Sequence, residues 1–333
     1  MRRMLTVAVG MVLSVSALTA QLQMAAPGPD DGQLGKLVAA NDLELKGNSP
    51  FYLSMSFQLF DINGKPKETG TLEKWWAAPG SSRYLVHMPG LNEDGAAPAG
   101  ADSALGRDAY LIRMLSQAAV SPVMARRQPG GTLKQETHSF GKTSLSCFTQ
   151  QQDSLSGQAA TAVTFCTDPN LDDVRIVMGS DGNSMTLRNS VGKFRDTYVS
   201  LGLQISYFGR DAISGKITAL HSFDPAKSEV QLPPAAGTAS PISGRVTVGK
   251  RIQFVEPEYP TIAKMGHLSG SVLLNAVIAK DGSVRTLQPI ASTDSVFIDA
   301  AMTAVQRWKY SPYLLNGEPT EVDTTITVNF QLN

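Results

Sequence analysis

Cysteine, histidine and charge are all scarce in this sequence. Its 333 residues contain two cysteines and four histidines, too few for a cysteine-rich metal scaffold and too scattered for a histidine-based metal site. Charged residues make up 17%, and 29 basic side chains balance 29 acidic ones, so the chain lacks the basic character of a nucleic-acid-binding protein. Hydrophobic residues reach 42%, which favours folded cores over disorder. The length allows roughly two domains at about 100–200 residues each.

Long apolar runs are also missing, with one exception at the N-terminus. Arg2 and Arg3 precede an apolar run over residues 4–18, and small residues follow up to Ala20. This order is typical of a secretory signal peptide. We therefore predict a signal peptide at residues 1–20 and export to the periplasm. The alternative is a short inner-membrane anchor, because about seventeen apolar residues lie at the lower limit for crossing a bilayer.

The two cysteines are expected to pair with each other. Cys147 and Cys166 lie in neighbouring strand-like segments, and an oxidising compartment favours a disulfide between them. The alternatives are two buried free thiols or a redox-active pair, although the sequence has no Cys-x-x-Cys spacing.

Sequence motifs for catalysis are absent. The chain contains no Gly-x-Ser-x-Gly, no His-Glu-x-x-His and no phosphate-binding glycine loop. The histidines lie far apart in the sequence, at His87, His138, His221 and His267. We expect no enzymatic activity, no cofactor and no metal.

The middle of the chain alternates apolar and more polar residues with the period of a β-strand. In residues 51–59 every odd position is apolar, and Gly64 follows at a hairpin turn. Similar short runs continue to residue 223, while apolar residues between Asp102 and Ala119 recur at helical spacing. Over residues 40–224 we predict an antiparallel, β-rich, half-barrel-like domain with one helix. Its concave side would either enclose an apolar ligand or form the domain core.

Residues 51–76, with the turn at Gly64 and the pair Trp75-Trp76, resemble the N-terminal region of some exported TonB-family proteins. That region is similar to the half-barrel of LolA-type lipoprotein carriers. The resemblance spans roughly residues 40–225. It implies a possible lipid ligand and assigns no functional residue.

The last hundred residues predict a linker and a small mixed domain. Residues 225–248 are rich in proline, alanine, glycine and serine, which is typical of a linker. After them the patterns predict a short helix from Thr261, a hairpin, a helix ending near Trp308, and a last strand at residues 322–332. We predict a β-β-α-β domain at residues 249–333, so the whole chain is of the α+β class.

The C-terminal segment carries several short motifs in a fixed order. They are Pro257-Glu258-Tyr259-Pro260, Ile298-Asp299-Ala300-Ala301, Trp308-Lys309-Tyr310-Ser311-Pro312, Asn316-Gly317-Glu318-Pro319 and Val328-Asn329-Phe330-Gln331-Leu332. With these motifs, residues 250–333 resemble the TonB C-terminal domain family. The resemblance implies a periplasmic domain that accepts a segment of an outer-membrane receptor as a strand beside its own last strand.

The site residues implied by this resemblance lie in the last strand and around the Tyr-Pro motif. They are Glu256, Tyr259, Thr324, Thr325, Ile326, Thr327, Val328, Asn329, Phe330, Gln331 and Leu332. For Tyr259, Trp308 and Phe330 the alternative is a place in the hydrophobic core.

The resemblance implies a binding protein for an outer-membrane TonB-dependent receptor or another envelope protein. Energy transducers of this family also keep an N-terminal membrane helix, engage a proton-driven motor of the ExbB/ExbD type and have a long proline-rich arm. The predicted signal peptide and the short linker depart from that pattern. We therefore expect a periplasmic adaptor, with an anchored energy transducer or a lipid carrier as alternatives.

Overall fold

The computed structural model describes residues 11–12, 32–45, 47–96, 106–123, 132–140, 143–151, 162–168, 170–179, 183–233, 246–247, 249–315 and 317–332. Most of the predicted signal peptide at 1–20 and residues 234–245 of the predicted linker lie outside this set. Among the described helices the longest has 14 residues, and none has the length and apolar character of a membrane span. Below, residues 32–233 are called the N-terminal body and residues 246–332 the C-terminal module.

Eleven antiparallel strands form the sheet of the N-terminal body. The elements up to residue 222 are β1 (Met11–Val12), α1 (Gly32–Asn41), β2 (Phe51–Phe60), β3 (Pro66–Ala78), β4 (Ser81–Met88), β5 (Leu91–Ala96), α2 (Arg107–Val120), β6 (Thr132–Phe140), β7 (Thr143–Gln151), β8 (Ala162–Thr167), β9 (Val174–Met178), β10 (Ser184–Phe194), β11 (Thr197–Tyr207) and β12 (Arg210–Ser222). The sheet order is β5-β4-β3-β2-β12-β11-β10-β9-β8-β7-β6. Apart from β2 and β12, neighbours in the sheet are neighbours in sequence, so the predicted antiparallel meander is confirmed.

The apolar face of this sheet is filled by α2. Burial alternates along β2 as predicted, with Phe51, Leu53 and the other odd positions buried. Leu111 and Leu115 of α2 lie in the same buried cluster as these residues. A Cβ atom added at Gly215 of β12 would lie 2.7 Å from a methyl group of Leu115, so glycine permits this close packing. Of the two predicted uses of the concave side, the packing therefore supports a hydrophobic core.

In its described residues, the N-terminal body has two helices rather than the single one predicted. The extra helix, α1, precedes the predicted domain start at residue 40. It buries Leu34, Leu37, Val38 and Asn41, which follow the i, i+3, i+4, i+7 spacing of one helix face. The predicted helix corresponds to α2, which begins at Arg107; residues 102–105 of the predicted segment lie outside the described residues.

A buried arginine connects α1 to the sheet. Arg188 of β10 is 1% exposed, and its Nη1 atom donates to Asn41 Oδ1 at 2.9 Å and to the Val174 carbonyl at 2.7 Å. Its Nη2 atom donates to the Tyr198 carbonyl at 3.1 Å. Burial lowers the pKa of Arg188 to about 10, opposed by the nearby Asp42 carboxylate, so the group stays charged at neutral pH.

A disulfide joins β7 to β8. Cys147 and Cys166 are register partners in these strands, are completely buried and are bonded to each other. Because the bond closes a loop across a sequence separation of 19, we expect the double variant Cys147→Ser/Cys166→Ser to lose about 3 kcal/mol of unfolding free energy. Urea unfolding of both proteins measures this difference. Adding reductant should leave the double variant unchanged, and equal stabilities would contradict the prediction.

The C-terminal module is built around a second, smaller sheet. Its elements are β13 (Val246–Thr247), β14 (Arg251–Gln253), α3 (Thr261–Met265), β15 (Gly270–Ile278), β16 (Val284–Ser292), a 3-10 turn (Ser295–Phe297), α4 (Ile298–Val305), β17 (Lys309–Tyr310), β18 (Tyr313–Leu315), β19 (Glu318–Thr320) and β20 (Val322–Phe330). The order in the main sheet is β1-β20-β15-β16. The predicted β-β-α-β unit is confirmed as β15, β16, α4 and β20, and the short strands β13, β14 and β17–β19 are additions.

The core of this module lies between the sheet and α4. Val272, Leu274, Ala276 and Ile278 of β15 face it, as the alternation predicted, together with Trp308. The turn between β15 and β16 requires glycine at position 282, where φ is +82° and an added Cβ would lie 1.7 Å from the Tyr310 carbonyl. The sequence pattern therefore fixes both the inner face and the turn of the hairpin.

Candidate functional site

The last strand, β20, lies near one edge of the C-terminal sheet. Along its full length it pairs with β15, from Val322 opposite Ile278 to Phe330 opposite Gly270. On its other side, among the described residues, β20 pairs with β1, where Met11 faces Ile326 and Val12 faces Thr325. The edge predicted to accept a partner is therefore partly occupied by the chain itself, in an antiparallel pairing.

Hydrogen bonds at the start of β15 show which main-chain groups of that strand face β20. The Ser271 N–H donates to Thr293 Oγ1 at 2.8 Å, and the Ser271 carbonyl accepts from the Thr293 N–H at 2.9 Å. The main chain of Ser271 therefore faces β16. Because this direction alternates along a strand, the main chains of Val272 and Leu274 face β20.

The same alternation divides β20 into two sets of main-chain groups. Ile326 and Val328 are the partners of Leu274 and Val272, so their N–H and C=O groups bond to β15. The groups of Thr325, Thr327 and Asn329 consequently point away from β15, towards the outer edge. Main-chain groups that point this way are the ones that an added strand would use, and Thr325 already pairs with Val12 on this side.

Most of the predicted site residues that are apolar belong to the core. Tyr259 is 4% exposed, and Ile326, Val328 and Phe330 are completely buried. The Tyr259 ring meets the Phe330 ring edge-on at 5.7 Å, and its hydroxyl donates to the Leu268 carbonyl. These side chains hold the strand in position, and direct contact with a partner would come from the main chain.

The remaining predicted site residues are more accessible. Glu256 and Gln331 are exposed, and Leu332 is half-buried. The half-buried Asn329 accepts a hydrogen bond from the Ser271 hydroxyl at 2.5 Å through its Oδ1 atom. Thr324, Thr325 and Thr327 are buried. The structure thus brings residues 324–332 together on one strand and leaves Glu256 on the segment that leads to Tyr259.

Side-chain charge distinguishes this edge from the edges of the large sheet. The edge strand β5 contains Glu93 and Asp94, and the opposite edge strand β6 contains Lys134 and Glu136. Charged side chains on an edge strand discourage pairing with another chain. β20 has one charged residue, Asp323 beside its start, and reads Thr-Thr-Ile-Thr-Val-Asn-Phe without charge from position 324 to 330. Its composition is suited to pairing.

Residues 255–332 match the family model described as Gram-negative bacterial TonB protein C-terminal. This segment is a TonB C-terminal domain. It contains the Tyr-Pro motif and the whole of β20, which confirms the resemblance inferred from the sequence motifs.

A curated relative matches the same domain. Protein TonB of Vibrio cholerae serotype O1 is 30% identical over 79 residues, which make up 23% of this chain and 32% of that protein. The chain therefore spans about a third of the length of this relative.

Three solved structures similar to part of this chain have TM-scores below 0.5. The Pseudomonas aeruginosa TonB C-terminal domain is 23% identical, with a TM-score of 0.23, and the match covers 26% of this chain and 87% of that one. A putative outer membrane lipoprotein-sorting protein domain from Vibrio parahaemolyticus is 9% identical, with a TM-score of 0.32, over 55% of this chain and 87% of that one. A LolA superfamily protein from Nitrosomonas europaea is 7% identical, with a TM-score of 0.34, over 57% of this chain and 93% of that one.

The TonB C-terminal domain also exposes apolar side chains that sequence reasoning did not single out. Among the described residues nine large hydrophobic side chains are exposed, and five of them lie within the seventeen residues from 252 to 268. They are Ile252, Phe254, Ile262, Met265 and Leu268. The Arg251 guanidinium lies 4.4 Å from the Phe254 ring centre and 4.7 Å from that of Trp308, which fixes Phe254 at the surface. In the sequence, the one sign of this exposed apolar group is that apolar residues lie next to the Tyr-Pro motif.

The described residues do not assemble a metal site. No group of three or more histidine, cysteine, aspartate or glutamate side chains among them is placed to hold a metal ion. A half-open recess of about 520 Å³ lies at the start of α2, lined by Lys67, Met88, Arg107 and Asp108 among others. The Lys67 ammonium bonds to the Asp108 carboxylate at 2.5 Å, so these two charges at the recess are paired with each other.

Proposed function

We propose that the protein is a non-enzymatic, TonB-type binding protein of the cell envelope. It binds an extended segment of an outer-membrane TonB-dependent receptor, or of another envelope protein, as an added strand on the outer edge of β20. The observation that carries this proposal is the outer edge of β20, where the main-chain groups of Thr327 point away from β15 and residues 324–330 carry no charge.

The pairing with β1 supports an antiparallel arrangement of the added strand. Val12 already pairs with Thr325 in this way, so a partner would replace two residues of the chain itself and extend along the edge. If the predicted signal peptide is removed on export, β1 is removed with it. We infer that a form beginning at Gln21 presents the edge without this competitor.

The exposed apolar side chains on α3 and just after it support a second contact for the same partner. Leu268 lies two residues before Gly270, which pairs with Phe330 at the end of β20. A partner segment that leaves the edge at this end would pass near Leu268. Exposed apolar side chains grouped in this way commonly mark a protein-binding surface.

Export to the periplasm fits the disulfide between Cys147 and Cys166. Disulfides persist in oxidising compartments and are rare in the cytosol. We propose a periplasmic location, and N-terminal sequencing of the protein from envelope fractions distinguishes a cleaved adaptor from an anchored energy transducer.

Hydrogen exchange at individual amides tests the proposed edge. The probe is a synthetic peptide that covers the extended N-terminal segment of a TonB-dependent receptor, added to the full chain and to the form beginning at Gln21. We expect the outward amide of Thr327 to exchange at least about tenfold more slowly when the peptide is bound, since it gains a strand hydrogen bond. The inward amides of Ile326 and Val328 are the internal control and should change little. Binding without slower exchange at the Thr327 amide would overturn the proposal.

A further inference from the structure

The second edge of the C-terminal sheet, at β16, is closed by two arginines of the N-terminal body. Arg107 Nε donates to the Ile290 carbonyl at 2.6 Å, and Arg210 Nη1 donates to the Ser292 carbonyl at 2.9 Å. The same Arg107 side chain donates through Nη1 to the Phe60 carbonyl at 2.6 Å. One guanidinium therefore ties the end of β2 to the edge of β16.

The arginines bind the carbonyls of Ile290 and Ser292. Neither carbonyl is used in the pairing of β15 with β16. Leu273 pairs with Ala291 and Leu274 pairs with Pro289, so Ile290 is the extra residue of a β-bulge. Thr293 N–H bonds inward to Ser271, and by alternation the carbonyl of Ser292 points outward. The arginines supply partners for edge carbonyls that would otherwise face solvent or another strand.

Apolar contacts accompany these hydrogen bonds. Leu273, Ile290 and Ala291 are at most 5% exposed, and they belong to the buried cluster of the N-terminal body rather than to the core around Trp308. Leu273 lies on the face of β15 opposite Val272 and Leu274, so the sheet is covered on both faces. A sheet of this kind without the N-terminal body would expose these three side chains.

We propose that Arg107 and Arg210 form an intramolecular clamp that docks the TonB C-terminal domain onto the N-terminal body through the edge of β16. The docking closes one of the two sheet edges and leaves β20 as the edge for a partner; this last consequence rests on the proposed function, whereas the clamp does not. Arg107 is mostly buried, and burial lowers the pKa of its guanidinium. Three carbonyl groups and the Asp108 carboxylate surround the guanidinium and compensate its charge.

The clamp predicts that removing the two guanidinium groups frees the C-terminal module. In Arg107→Met/Arg210→Met the apolar stems remain and the donors to Ile290 and Ser292 are lost. Spin labels at Lys216→Cys on β12 and Lys280→Cys in the β15–β16 turn report the distance between the two units by pulsed electron resonance. We expect the width of the distance distribution to grow by about twofold or more, because small interfaces inside a chain permit relative motion once their contacts are removed. The exposed edge of β16 should also give concentration-dependent dimers in sedimentation experiments.

Arg195→Met provides a matched control. Arg195 also donates to two backbone carbonyls, those of Ser49 at 2.7 Å and Pro50 at 2.8 Å, but all of these groups lie within the N-terminal body. Its distance distribution should equal that of the unmutated, labelled protein. Arg210→Met alone loses the bond to Ser292 and should give an intermediate width. This single variant decides the question if the double variant does not fold.

A distribution for the arginine variants as narrow as that of Arg195→Met would overturn the clamp. Peptide binding at β20 is measured separately on the same proteins. Because neither arginine contacts β20, loss of the clamp with retained peptide binding, or the reverse, distinguishes failure of this inference from failure of the proposed function.

Discussion

Replacing Thr327 by proline is expected to weaken partner binding at least about tenfold while leaving the fold intact. The outward N–H of Thr327 is a donor for an added strand, and proline lacks this donor and crowds the edge. The loss of one hydrogen bond and the displacement of the neighbouring residue pair should cost about 1.4 kcal/mol or more of binding free energy. This corresponds to a factor of about ten in affinity. Titration calorimetry with the receptor peptide measures the change.

The fold should tolerate this substitution because of how Thr327 is placed. Its N–H does not bond to β15, and its buried hydroxyl has no hydrogen-bond partner among the described residues. Proline on an edge strand with its nitrogen facing outward is compatible with a sheet. Because Thr327 is only 3% exposed, we expect the unfolding free energy to fall by about 0.5–3 kcal/mol.

Two companion variants make the result interpretable. Thr327→Val keeps the backbone donor and the side-chain shape, so it should bind the peptide as the unmutated protein does. Val328→Pro removes an inward donor that bonds to Val272 and should destabilise the module by about 3 kcal/mol or more. Equal binding by Thr327→Pro and Thr327→Val would show that the partner does not add to this edge.

The largest expected loss of stability comes from Arg188→Met. The substitution leaves Asn41 Oδ1 and the Val174 carbonyl without their arginine donor in a buried site, and it removes the charge beside the Asp42 carboxylate. Removing one partner from a buried charged network costs about 3–5 kcal/mol, because the remaining groups stay desolvated. Urea unfolding followed by circular dichroism should show this decrease.

Arg83→Met is the matched comparison on the surface. Arg83 bonds to Asp94 through two nitrogen–oxygen contacts of 2.7 and 2.5 Å, but the pair is exposed. Exposed ion pairs contribute about 0–1 kcal/mol, so this variant should lose little stability. If Arg188→Met is no less stable than Arg83→Met, the buried network does not hold α1 on the sheet.

The sequence predicts the parts of this protein that depend on local patterns. The alternation in residues 51–59 gives the buried and exposed faces of β2, and the alternation in residues 322–332 gives the inner face of β20. Both follow from the two-residue period of a strand, which local sequence encodes directly. The motifs around Tyr259 and Trp308 also identified the TonB C-terminal domain, because the order of motifs is a property of the sequence alone.

Contacts between distant residues could not be predicted in this way. Arg107 and Ile290 are 183 residues apart, and Arg188 and Asn41 are 147 apart. No periodic pattern relates them, because they meet only when the sheets are assembled. One local signal was present: residues 272–278 are apolar on both faces of β15 except at Asn275, which is typical of a strand covered on both sides.

Anchoring of the linker at both ends limits how far the two units can separate. The Pro233 carbonyl accepts a hydrogen bond from the Ser81 hydroxyl at 2.7 Å, and Val246–Thr247 pairs with β18. Only the twelve residues from 234 to 245 connect these attached points, and they span at most about 40 Å when fully extended. A released module would therefore stay at an effective concentration of about millimolar near its docking surface. Two arginine contacts can then keep the units together, although the same contacts between separate molecules would be too weak.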